Sequence, residues 1–136
     1  MISKFIINNK NICVFPNSSI RHALKIIQKN SERTCFVINK NNTLNASVSD
    51  GDIRRGLISG KKLEDTISKV KYTKFKSLKV NLSPDEAYKQ FTKKINILPV
   101  LDRNKKFLGI IRKQDLVPFL DIKSKKILIV GLGYVG

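Results

Sequence analysis

Apolar and polar positions along the chain alternate in short blocks, and the blocks recur. Ile97-Leu98-Pro99-Val100-Leu101 is an apolar run, Asp102 to Lys106 a polar turn, and Phe107-Leu108-Gly109-Ile110-Ile111 a second apolar run. Two short strands joined by a turn are predicted there. Arg112-Lys113-Gln114-Asp115-Leu116-Val117 then begins a helix. Ahead of the strands, Ser83-Pro84-Asp85-Glu86-Ala87 predicts another helix start, with Ser83 as N-cap, Pro84 as first helical residue and Glu86 closing a capping box.

The same order stands upstream. Cys35-Phe36-Val37-Ile38 and Leu44-Asn45-Ala46-Ser47-Val48 are the strands, Lys40-Asn41-Asn42 the turn, and Ser49-Asp50-Gly51-Asp52-Ile53-Arg54-Arg55 the following helix start. Asn17-Ser18-Ser19 opens the preceding helix, in which Ile20, Ala23, Leu24 and Ile27 share one face. Val37 and Val100, Ala46 and Gly109, and Asp52 and Asp115 are each 63 positions apart. A fixed spacing across three landmarks marks an internal repeat. Each unit reads helix–strand–strand–helix. One unit of this size buries little, so the two are expected to pack sheet against sheet, leaving clefts between them. Leu63–Val70 is expected to form a short connecting helix, and Lys71–Lys79 is basic and poor in strand signals.

Composition adds limits. At 136 residues and 41% apolar, a modest folded core is expected. No apolar run is long enough for a membrane helix, and the N-terminal Met1–Ile7 run turns polar too early for a signal peptide, so a cytoplasmic, membrane-free protein is expected. Lys and Arg total 27 against 10 Asp and Glu, a formal charge of +17. The lysines are spread along the whole chain, without an RNA-reading aromatic strand or zinc-finger spacing, so a solvated basic surface is preferred to nucleic-acid binding. Cys13 and Cys35 lie in apolar runs and are expected as buried free thiols. His22 is the sole histidine and no metal site is expected. No nucleophile–base pair is present, so no catalytic residue is assigned.

An apolar–Pro–Val–apolar–Asp strand, a turn, a second strand ending near Gly and a Ser/Thr-x-x-Asp helix start resemble the cystathionine-β-synthase (CBS) domain. Two in tandem resemble a Bateman module, across roughly residues 10–120. The segment from Ser47 to Leu57 is similar to CBS pairs that precede sugar-nucleotidyltransferase domains. The resemblance implies an α/β fold of two pseudo-symmetric units, each a short sheet plus helices, at residues 10–70 and 71–122. It also implies a regulatory module rather than an enzyme, with AMP, ADP or ATP as ligand. Ser49, Asp50, Gly51, Asp52 and Arg55 of the first unit, and Arg112 and Asp115 of the second, are the ligand-binding candidates. A helix N-terminus attracts phosphate, Asp52 can accept from both ribose hydroxyls, Gly51 permits close approach, and Arg54 and Arg55 bring positive charge. Ser-x-x-Asp equally serves as a helix cap without a ligand. Arg112 stands where the family pattern has Ser or Thr, so the second cleft departs from it.

The resemblance also suggests a homodimer through helical faces, with Ile20, Leu24, Ile53, Leu57, Leu116 and Phe119 as candidate contacts. A ligand-free dimerising module is the alternative reading, and a basic nucleic-acid binder a second. Lys125 to Gly136 is a basic lead, an apolar strand and Gly131-x-Gly133-x-x-Gly136. This resembles the first strand and glycine turn of an NAD-dependent Rossmann oxidoreductase. Residues 123–136 are therefore expected to be the start of a following domain of a longer enzyme, in which those glycines would serve NAD.

Overall fold

The computed structural model describes residues 1–8 and 10–120. The expected Rossmann strand and Gly131, Gly133 and Gly136 lie outside the described residues.

The first unit contains β1 (Cys13–Val14), α1 (Ile20–Lys29), β2 (Thr34–Ile38), β3 (Leu44–Ser49) and α2 (Asp50–Ile58). The second contains β4 (Leu78–Lys79), α3 (Pro84–Tyr88), β5 (Ile97–Leu101), β6 (Phe107–Arg112) and α4 (Lys113–Leu116). Each unit holds a three-stranded sheet, ordered β1-β2-β3 and β4-β5-β6. The hairpins share one register: Thr34 faces Ser49 and Val37 faces Ala46, as Ile97 faces Arg112 and Val100 faces Gly109. Both ladders also break at the equivalent place, between Val37 and Ile38 and between Val100 and Leu101. The predicted strand pairs are thus present in equivalent register. A short parallel strand, β1 or β4, completes each sheet.

Local chemistry explains the helix starts. The Ser19 side chain accepts from the His22 amide, and Ser83 and Glu86 form the predicted reciprocal capping box with Pro84 in the first turn. Ile20, Ala23 and Ile27 turn inward together and pack on Cys35, Val37 and Val48. In the second unit Ala87, Leu98, Val100, Ile111 and Leu116 do the same. The connecting helix expected over Leu63–Val70 is only a 3-10 turn at Ile67–Lys69. Ile67 is buried there in the first core, and Leu63 and Val70 pack against it from an otherwise irregular segment.

Strand alternation sends the other residues to the opposite face. Phe36, Ile97, Phe107 and Ile110 meet Ile12 in a third buried cluster where the two sheets face one another. The Phe36 and Phe107 rings are 5.8 Å apart. The hairpin turns also bond across the pseudo-symmetry axis, Phe107 N donating to Asn42 O at 2.8 Å.

Residues 2–7 were outside both repeats by pattern, yet they belong structurally to the second unit. Ile2 is buried in its core and donates its amide to Leu82 O, while Ile7 and Ile110 exchange backbone bonds of 2.8 and 3.0 Å. Tyr72 and Ser47 make the same exchange on the first sheet, at 2.8 and 2.9 Å. One isolated bridge therefore lies on the outer edge of β3 and one on that of β6.

The candidate dimer residues divide. Ile20, Ile53 and Leu116 are core residues and cannot meet a partner; Leu24 is partly buried against the first core. Leu57, at the end of α2, and Phe119, in the 3-10 turn Val117–Phe119, are exposed, and Ile58 is 80% exposed. Helix periodicity identified an apolar face without separating the inward side of that face from its rim.

Candidate functional site

Ser49 closes β3 and caps α2, so one residue fixes both the strand end and the helix start. Its side chain accepts from Asp52 N at 3.1 Å, and its own amide donates to Asp52 Oδ2 at 2.9 Å. Asp52 Oδ1 accepts from Arg55 Nη2 at 2.6 Å, and Asp50 pairs with Arg54 at 3.0 Å. Five residues singled out in the sequence, Ser49, Asp50, Gly51, Asp52 and Arg55, therefore form one cluster at the positive end of a nine-residue helix.

The first-turn amides show what remains available. Asp50 N donates to Arg33 O and Asp52 N to Ser49 Oγ, which leaves the Gly51 amide. A Cβ at Gly51 would meet Arg55 Nη1 at 3.4 Å and Ser49 Oγ at 3.7 Å, ordinary contact distances, so the Arg55 guanidinium lies beside this first-turn position. An ionised carboxylate has about four lone-pair positions, of which two on Asp52 are taken. The Arg55 partner is largely exposed, and an ion pair of that kind is worth about 0–1 kcal/mol, so it can give way.

Alternation places Ser47 and Ser49 on the face away from Ala46 and Val48, the face that the other sheet covers. Tyr72 lies beside Ser47 through its two backbone bonds and is half exposed. Ser47 and Tyr72 were not chosen from the sequence as site residues. The signal was Ser47 itself, a polar residue at the position where the second unit has buried Ile110.

The second unit's counterpart is closed on itself. Arg112 occupies the cap position but makes no side-chain cap bond. Its guanidinium instead grips Asp115 through Nε–Oδ2 at 2.9 Å and Nη2–Oδ1 at 3.2 Å. Hydrogen bonding to Asp115, helped by the charges of Asp115 and of Glu32 from the first unit, holds Arg112 above the ordinary arginine range. Burial pushes the Cys13 thiol up to about 11 and Cys35 to about 12, Cys35 also feeling Cys13 and Asp52. Among the described residues no three His, Cys, Asp or Glu side chains converge as metal ligands. No helix among them is long and apolar enough to cross a membrane.

Two duplicated units, each a three-stranded sheet whose hairpin runs into a helix start, pack together through the Phe36 and Phe107 faces of their sheets and define a tandem pair. Residues 3–59 and 67–121 match the CBS domain, and the chain belongs to that family. An uncharacterized protein of Helicobacter pylori is 31% identical over 108 residues, which are 76% of this chain and 32% of that protein. The chain thus spans about a third of the length of that curated relative. Among solved structures, MJ1225 of Methanocaldococcus jannaschii matches with TM-score 0.75 and 24% identity, over 88% of this chain and 49% of that one. CBSX2 in complex with AMP matches with TM-score 0.71 and 23% identity, over 87% and 93%. OpuCA of Staphylococcus aureus matches with TM-score 0.71 and 19% identity, over 86% and 96%. At these identities the likeness is one of fold.

Proposed function

We propose that this CBS pair is a nucleotide-sensing regulatory module of a longer protein, and that its ligand is an adenine nucleotide of the AMP, ADP or ATP type. The observation that carries the reading is the start of α2. There the Gly51 amide and helix dipole offer a phosphate site, and Asp52 retains two acceptor positions for ribose hydroxyls. The AMP complex of the CBSX2 fold supports the ligand class. Arg54 and Arg55 stand within one turn to add charge once their carboxylate partners are shared with ligand.

The module supplies no chemistry of its own in this reading. It converts nucleotide occupancy into a preference between arrangements of the two units, which the remainder of the protein reads. The glycine pattern at Gly131, Gly133 and Gly136 supports an NAD-dependent, sugar-nucleotide-linked enzyme as that remainder. The exposed Leu57, Ile58 and Phe119 support a homodimer through the α2 and α4 ends; a purely dimerising role rests on the same residues. A thermal-shift series with AMP, ADP and ATP tests the sensing role. A ligand at a hundred times its Kd adds about 2.7 kcal/mol, so a clear rise in Tm is expected, and no rise with any of the three leaves the dimerising role in its place.

A further inference from the structure

Two open grooves lie at the end opposite Ser49 and Asp52, beside the hairpin turns. One is about 710 Å³ and the other about 410 Å³, and neither is lined by Ser49 or Asp52. The repeat relates them. Leu78, Leu101 and Leu44 of the larger stand where Val14, Ile38 and Phe107 line the smaller. The fold builds the space twice, and the sequence then treats the two copies differently.

The larger cavity has an apolar floor of Leu44, Leu78, Val80 and Leu101, with Phe75 on its wall. Its rim carries Lys79, Arg103 and Lys105, all exposed and none in an ion pair among the described residues. The one acid in the lining, Asp102, has an oxygen committed to the Asn104 and Lys106 amides at 2.8 and 3.0 Å. In the smaller cavity the places of Lys79 and Lys105 are held by Phe15 and Asn42, so Lys40 is the single cation. The wall at Phe75 belongs to the basic segment Lys71–Lys79 that leads into β4. Its start is fixed by Lys71 Nζ donating to Asn45 Oδ1, and Asn45 also lines the cavity.

We propose that the larger cavity is a second ligand site, separate from the start of α2, for a phosphorylated small molecule with an apolar or aromatic body. Three unpaired cations at the mouth meet the anionic group, and the apolar floor takes the body. Phe75 supplies a face on which a ring stacks.

The test uses 8-anilinonaphthalene-1-sulfonate, an aromatic anion, in fluorescence titration of the whole chain at fixed ionic strength, with inorganic pyrophosphate as competitor. Saturable binding, displaced by pyrophosphate, is expected. The double substitution Arg103→Ser with Lys105→Asn lies in an exposed turn, and should weaken dye binding by roughly tenfold or more, the loss of one charged hydrogen bond or greater. Lys40→Ser and Asp52→Asn should leave it unchanged, which separates this site from the nucleotide reading. A dye that fails to bind, that pyrophosphate does not displace, or that all the variants release alike overturns the proposal.

Discussion

Asn42 and Lys105 occupy the same point of the two hairpin turns and share a left-handed backbone, with φ of 66° and 62°. The geometry was duplicated with the repeat, but only the first unit kept a residue suited to it. Asparagine tolerates this region, whereas a lysine there carries strain. Lys105→Asn should therefore raise stability, by about 0.5–1 kcal/mol. Urea denaturation checks it through a higher midpoint at constant slope; a lower midpoint contradicts the turn geometry.

Gly109 should resist replacement where its repeat counterpart, Ala46, does not. Its φ is +147°, and a Cβ would come within 2.6 Å of Ile6 Cγ2 and of Ile7 O. Gly109→Ala is expected to cost at least ~2 kcal/mol, combining backbone strain with overpacking. Hydrogen exchange should then show faster exchange at the Ile7 and Ile110 amides. Unchanged protection at those amides would mean that residues 2–7 do not hold the second sheet as described.

The buried thiols set an alkaline limit. Burial raises Cys13 to about 11 and Cys35 to about 12 from an ordinary 9.0. The folded state thus favours the protonated thiols, so their contribution is fully present below pH 9 and is lost as pH rises toward 11–12. Each thiol should lower unfolding free energy by up to about 1.4 kcal/mol per pH unit in that window. Unfolding curves from pH 8 to 11 check this, and Cys13→Ala with Cys35→Ala should flatten the fall. An equally steep fall in the double variant contradicts it.

Much of this architecture is local in the sequence and was legible there. Ser83 with Glu86, Ser19, and the hairpins flanking Asn42 and Lys105 are short-range patterns whose physics operates within a few residues. The inward face of α1 was legible for the same reason. What escaped depends on distant partners. Ile2 lies in a core about 80 residues away in sequence, and the two-residue strands β1 and β4 are too short to show alternation. Among the candidate site residues, the capping box of Ser49 and Asp52 was readable because Ser-x-x-Asp acts within three residues. The Arg112–Asp115 grip was only half readable: the departure from Ser or Thr was visible, but its pairing required coordinates.

That grip predicts an asymmetric module. With both Asp115 oxygens held by the Arg112 guanidinium, which also fills the cap position, the second unit should not take nucleotide, and wild type should bind one per chain. Arg112→Ser restores a cap at the start of α4, worth about 1 kcal/mol, and frees Asp115. Equilibrium dialysis with labelled AMP should then show stoichiometry rising from one toward two. Two sites already in wild type would contradict the closure.

The central claim is that the start of α2 holds the nucleotide through Asp52, and isothermal calorimetry with AMP on wild type and Asp52→Asn tests it most directly. Asparagine keeps an oxygen for the Ser49 amide, so the cap survives while the charged acceptor is lost. Hydrogen bonds to a charged group are worth about 1.5–3 kcal/mol, so the account predicts a Kd weakened at least about tenfold at unchanged folded content. Wild-type and Asp52→Asn titrations that superimpose, or a wild type giving no heat with AMP, ADP or ATP at millimolar concentration, would contradict it.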